Sequence, residues 1–168
     1  TIGANAFNGN WNLIYLTLPE GLTAIEDGAF ESAYQLSFVE FPSTLRTIGN
    51  RAFYNYRGGK LMLPEGLERI GDEAFYRCSV RGTLVLPEGL KEIGDSAFAR
   101  SIFMHTLDLP STLETIGEHA FEDVSLSYVY MDGLTPPKVA KTAFAECTSL
   151  ADIELNEYCT KQQMLDLQ

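Results

Sequence analysis

Cations are scarce in this chain: 12 Lys and Arg stand against 23 Asp and Glu, a formal charge of −11 over 168 residues. That balance repels a phosphate backbone and an anionic membrane surface, so generic nucleic-acid binding and lipid docking are excluded. Long apolar runs are missing too, and nothing approaches the roughly 18 residues that a membrane-spanning helix needs. The opening Thr1-Ile2-Gly3-Ala4-Asn5 has neither the charged region nor the apolar stretch of a signal peptide. Three cysteines at irregular spacing make neither a disulfide scaffold nor a zinc site. Two solitary histidines, His105 and His119, cannot supply the convergent ligands of a metal centre. The glycines are scattered as turn-makers and form no phosphate-cradling loop. What remains, 45% hydrophobic and 21% charged, fits one folded acidic domain.

What is abundant is repetition. An Ala-Phe pair recurs at Ala6-Phe7, Ala29-Phe30, Ala52-Phe53, Ala74-Phe75, Ala97-Phe98, Ala120-Phe121 and Ala143-Phe144, in steps of 23, 23, 22, 23, 23 and 23 residues. Four residues before each Ala stands a branched aliphatic: Ile2, Ile25, Ile48, Ile70, Ile93, Ile116 and Val139. Eleven before the Phe comes proline, at Pro19, Pro42, Pro64, Pro87 and Pro110, each after an apolar residue. One unit reads L-x-x-L-x-L-P-x-x-L-x-x-I-G-x-x-A-F, most cleanly from Leu84 to Phe98 and from Leu107 to Phe121.

The alternation before each proline is the signature of a half-buried strand, which the proline ring ends. A turn follows, written Glu-Gly-Leu at Glu20, Glu65 and Glu88 or Ser-Thr-Leu at Ser43 and Ser111. The Ile-Gly-Asp-x-Ala-Phe segment reads as a short helical turn, with Asp27, Asn50, Asp72, Asp95 and, less well, Glu118 as N-caps. A lone coil orders more chain than its few inward side chains can offset, so the units must stack. The expected architecture is an α/β solenoid: a right-handed horseshoe of about seven coils, with one strand per coil in a parallel sheet on the concave face. Residues 1–156 would form the solenoid and 157–168 a carboxy-terminal cap or tail, helical from Thr160 to Leu167.

These Leu-Pro, Ile-Gly and Ala-Phe pairs resemble a BspA-like leucine-rich repeat, the 23-residue bacterial class also called Treponema pallidum-type. Cysteine often stands three residues after the Phe in that family, and Cys78 and Cys147 fit the place. Thr1 begins in mid-coil, so further chain or a partner is expected to cover the amino-terminal end. Around Tyr128-Val129-Tyr130-Met131-Asp132-Gly133 the Leu-Pro element is lost, Asp132 falls on a ladder Leu place, and Thr135-Pro136-Pro137 replaces the usual turn. The resemblance implies a non-enzymatic cell-surface or secreted bacterial protein that binds proteins, or sometimes glycans, in adhesion. A spacer or accessory in a larger surface or nutrient-uptake assembly, contacting partners through the solenoid ends or convex turns, is the alternative.

Residues between the ladder leucines should face solvent: Tyr15 and Thr17, Phe38 and Glu40, Lys60 and Met62, Thr83 and Val85, Thr106 and Asp108, then Val129 and Met131, and Asp152 and Glu154. The first ten are the candidate partner-binding residues, with an apolar stripe near Tyr15, Phe38, Met62 and Val85. Strand chemistry alone also places such residues there. No catalytic residue, cofactor or metal is expected. A triad drawn through His105 and Asp108 lacks a nucleophile motif, and the acids Asp108, Asp152 and Glu154 lack the cleft that paired-carboxylate chemistry needs. Trp11 lies off the ladder positions, which disfavours sugar stacking. Cys78 and Cys147 read as buried thiols, and Cys159 is left either free or bridged to Cys147.

Overall fold

The computed structural model describes residues 1–80, 82–103, 105–131 and 133–155. The chain winds as a β-solenoid of about six turns with parallel pairing throughout. Each turn contributes up to two short strands. Those before the proline are β1 (Tyr15–Thr17), β3 (Phe38–Glu40), β7 (Thr106–Leu109), β9 (Tyr128–Met131) and β11 (Asp152–Leu155). Those at the Ile positions are β2 (Ala24–Ile25), β4 (Thr47–Ile48), β5 (Arg69–Ile70), β6 (Glu92–Ile93), β8 (Thr115–Ile116) and β10 (Lys138–Val139). One sheet was expected, but the uninterrupted one is the Ile sheet, in the order β10-β8-β6-β5-β4-β2, with Ile2 bridged to Ile25 beyond it. The leucine ladder is split into β1-β3 and β11-β9-β7, with an isolated bridge from Met62 to Val85 in the coils between them.

No helix exists among the described residues, so the helical turns and the α/β class are corrected. The backbone after the Ile shows why. The residue before Ala is left-handed at Asn5, Gly28, Arg51, Glu73, Ser96 and His119. So is the second residue after Phe, at Gly9, Ser32, Asn55, Arg77, Arg100, Asp123 and Glu146. A helix cannot pass through left-handed residues, and their alternation turns every second amide toward the next coil. Thus the Glu73, Phe75 and Arg77 amides donate to the Asp95, Ala97 and Ala99 carbonyls at 2.8, 2.8 and 2.9 Å.

The expected N-caps serve that same stacking. The amides of Asn50, Asp72, Asp95 and Glu118 donate to the side-chain Oδ1 of Asp27, Asn50, Asp72 and Asp95, at 2.7, 2.8, 2.9 and 2.7 Å. Each side chain therefore satisfies the backbone of the next coil, not the start of a helix. The adjoining glycine is what lets the coils come so close. A Cβ on Gly94 would sit 2.4 Å from Asp72 Oδ1 and 2.7 Å from its backbone nitrogen.

The core is one continuous cluster of leucines, isoleucines, alanines and phenylalanines running the length of the stack. Its axis is a column of Phe rings from Phe7 to Phe144, with neighbouring centroids 5.2–5.5 Å apart and nearly parallel planes. Cys78 and Cys147 are free thiols, buried and half-buried, that donate to the Phe53 and Phe121 carbonyls at 3.4 and 3.0 Å. Ser101 takes the same place and bonds the Phe75 carbonyl at 2.8 Å. In these three coils a small side-chain donor thus satisfies a carbonyl of the preceding coil. Burial raises both thiol pKa values above the usual range, so these groups resist ionisation. Cys159 and the proposed cap over 157–168 lie outside the described residues.

Candidate partner-binding face

The ladder strands carry alternate side chains inward and outward. Leu16 is half-buried, Val39, Leu61, Leu84, Leu107 and Val129 are buried, and the residues on either side of each point away from the core. Parallel register aligns Tyr15 with Phe38 and Thr17 with Glu40. Tyr15, Met62 and Val85 are 73%, 58% and 66% exposed, and Phe38 is 42% exposed. Thr17, Glu40, Lys60, Thr83 and Asp108 are exposed as well, while Thr106 is half-buried. The ten expected residues therefore share one surface, but no continuous sheet carries them. Backbone pairing lapses near Gly58-Gly59, where the repeat is one residue short, and again before β7.

The outward pair of the sixth coil is corrected. Val129 and Met131 are buried, and Tyr128 and Tyr130 take the outward places, aligned with Thr106 and Asp108 on one side and Asp152 and Glu154 on the other. Met131, not Asp132, fills the ladder place opposite Leu109. The strand steps are 22 residues from Leu107 to Val129 and 24 from Val129 to Ile153. The Ala-Phe count of 23 hides this compensating pair. The signal was present in Tyr-Val-Tyr-Met itself, where period-2 alternation puts the aliphatic residues on one side. Tyr128 and Tyr130 stack with centroids 6.3 Å apart and planes 19° apart. Partial desolvation, followed by the charge of Glu154, the Tyr128 ring, Asp108 and Asp152, raises the Tyr130 phenol above its usual pKa. Trp11 and Tyr34, also exposed, sit on the turns that precede β1 and β3.

The Ile sheet presents a different surface. Shallow hollows of about 520, 340 and 580 Å³ lie along it, lined by Arg69, Glu92, Thr115, Lys138 and their neighbours. Its charges are largely paired with one another: Arg69 with Glu92 at 3.1 Å, Lys91 with Glu68 at 3.4 Å, and Arg46 with Glu68 at 4.0 Å. Such exposed pairs are worth at most about 1 kcal/mol and leave little unmatched charge for a ligand.

Among the described residues, the chemistry-bearing groups do not converge. His105 is exposed, with Nδ1 3.1 Å from the Ser125 carbonyl, and His119 Nδ1 lies 3.0 Å from Glu122. Among the described residues, no group of three or more His, Cys, Asp or Glu is placed to hold a metal ion, and no helix is long and apolar enough to cross a membrane. Asp108 is separated from Asp152 and Glu154 by the whole of β9, on an open sheet face.

Comparison with known proteins agrees with this geometry. The profile of the BspA type leucine-rich repeat region matches in six copies, over residues 1–127 and 69–164. A crystal structure of a leucine-rich repeat protein from Bacteroides ovatus is similar at 28% identity and a TM-score of 0.77, over 94% of this chain and 41% of that one. The leucine-rich repeat protein of T. pallidum is similar at 25% identity and a TM-score of 0.62, over 91% of this chain and 60% of that one. The chain thus spans less than two thirds of either relative. No curated protein matches the sequence at a significant level.

Proposed function

The chain belongs to the BspA-type leucine-rich repeat family, and on that premise we propose that it is a non-enzymatic module that binds a protein partner across its leucine-ladder face. One observation carries the reading. The ladder face holds its large apolar side chains outward and uncovered, at Tyr15, Phe38, Met62 and Val85, whereas the Ile sheet carries charges that are largely paired, Arg69 with Glu92 and Lys91 with Glu68. Exposed aromatics and Met are the residues that anchor interfaces, and Glu40, Lys60 and Asp108 supply a polar rim. A stacked solenoid offers breadth and rigidity without a deep pocket, which suits a macromolecule better than a small substrate. The setting that goes with this role is the bacterial cell surface or the medium around it, in adhesion. A glycan partner is less favoured, because the one tryptophan, Trp11, stands off the ladder positions.

The test is affinity capture from bacterial surface extract with the wild-type protein and with a Tyr15→Ala, Phe38→Ala, Met62→Ala variant. The variant should keep its fold, since these side chains are exposed, and should lose a protein that the wild type retains. Equal capture by both would move the contact to the turns or the solenoid ends and overturn the proposal.

A further inference from the structure

We propose that the outward face of β7, β9 and β11 seats a basic, extended segment of a protein partner, which lays a lysine or arginine side chain against Tyr128 and Tyr130. The inference rests on the ladder face being the binding surface and gives the chemistry of what its last three strands take.

Register places two rows across these strands: Thr106, Tyr128 and Asp152 in one, Asp108, Tyr130 and Glu154 in the other. Neighbouring strands lie about 4.8 Å apart, so each carboxylate is one strand away from a ring. A tyrosine face attracts a cation through its quadrupole, and carboxylates on both flanks add direct Coulomb attraction. By themselves the acids would be an ordinary solvated face. The stacked ring pair between them adds contact area and orientation.

Charge complementarity selects the occupant. Among the described residues, none of Asp108, Asp152 and Glu154 is ion-paired, although acids of the Ile sheet are. The first two ladder strands carry one acid, Glu40, beside Tyr15 and Phe38, and the third coil presents Lys60. The excess of negative charge on this face therefore belongs to its last three strands. An acidic segment would be repelled there, and the −11 charge of the whole chain would speed encounter with a basic one.

The experiment is an NMR titration of the protein with a synthetic peptide of alternating Lys and Gly, beside its Glu-Gly counterpart and a neutral oligosaccharide. The Lys peptide should shift amides in 106–108, 128–130 and 152–154, and the other two should not. An Asp108→Asn, Asp152→Asn, Glu154→Gln variant, with exposed sites that leave the core intact, should weaken binding about tenfold, and Tyr128→Ala should weaken it about threefold. Four results would overturn the proposal: no shifts at those residues, shifts centred on the Ile sheet, equal binding by the neutralised variant, or binding of the oligosaccharide at the same place. The Tyr15, Phe38, Met62 variant should bind the peptide normally while losing the captured partner, so the two readings fail separately.

Discussion

From β2 to β10 six coils pair without a gap, whereas on the leucine-ladder side pairing stops after β3 and resumes as an extended sheet only at β7. Both sides are written in the same 23-residue unit, but they carry different loads. The Ile side holds the stack together through its sheet, its Asp and Asn side chains and the Phe column behind them. Many of its outward charges pair with one another, Arg69 with Glu92 and Lys91 with Glu68 among them. The ladder side contributes inward leucines to the core and leaves its outward places free to differ from coil to coil: Tyr, Phe, Lys, Thr, Thr, Tyr, Asp along one column. The repeat thus carries its continuous pairing on one side and its exposed large apolar side chains on the other.

That division can be broken or sharpened by substitution. The largest effect is expected at Phe75, fully buried and stacked between Phe53 and Phe98 at 5.4 and 5.3 Å. Phe75→Ala should cost about 3–5 kcal/mol in urea unfolding, while Met62→Ala on the ladder face should stay within about 0.5 kcal/mol. Similar losses from the two would erase the distinction.

Glycine gives the next contrast. Gly94→Ala pushes a methyl into Asp72 and the backbone of the preceding coil and should cost about 1–3 kcal/mol. Gly59, on the ladder side, has nothing within 4 Å of an added Cβ, and Gly59→Ala should leave the melting temperature nearly unchanged.

Asp72→Ala removes the acceptor of the Asp95 amide at 2.9 Å and should lose about 1 kcal/mol. Asp152→Ala, on the open ladder face, is the matching control, and its unfolding midpoint should hardly move. The smallest effect lies at Glu20, which accepts the Ser43 amide and hydroxyl, both at 3.0 Å. Those bonds hold its carboxyl below the usual value of 4.5, so its contribution is present above the unfolded-state pKa and lost as pH falls through the lower folded one. Carbon-detected NMR should find Glu20 titrating low in the wild type and higher in Ser43→Ala.

Much of this was legible in the residues. The Ala-Phe count gave the coil length and the Ile and Leu positions gave the core, because burial fixes residue type at recurring places. The ten outward ladder residues followed from alternation alone. The secondary structure of the Ile-Gly-Asp segment did not. Asp before a turn reads as an N-cap, and only the stacked neighbour reveals that Asp72 bonds the amide of Asp95. Left-handed backbone at Arg51 and Glu73 is also invisible in residue types that rarely adopt it. The sixth strand was misread for a different reason. Its deletion and later insertion cancel within the Ala-Phe spacing, so counting from Phe121 put Val129 and Met131 outward in place of Tyr128 and Tyr130.

Photocrosslinking tests the division of labour most directly. A photoreactive benzoylphenylalanine would be placed at position 38 on the ladder face or at position 115 on the Ile sheet, and each protein irradiated in bacterial surface extract. The account predicts a discrete adduct with one partner protein from position 38 and none from position 115. The same adduct from position 115, with none from position 38, would contradict it and make the charge-paired sheet the binding face.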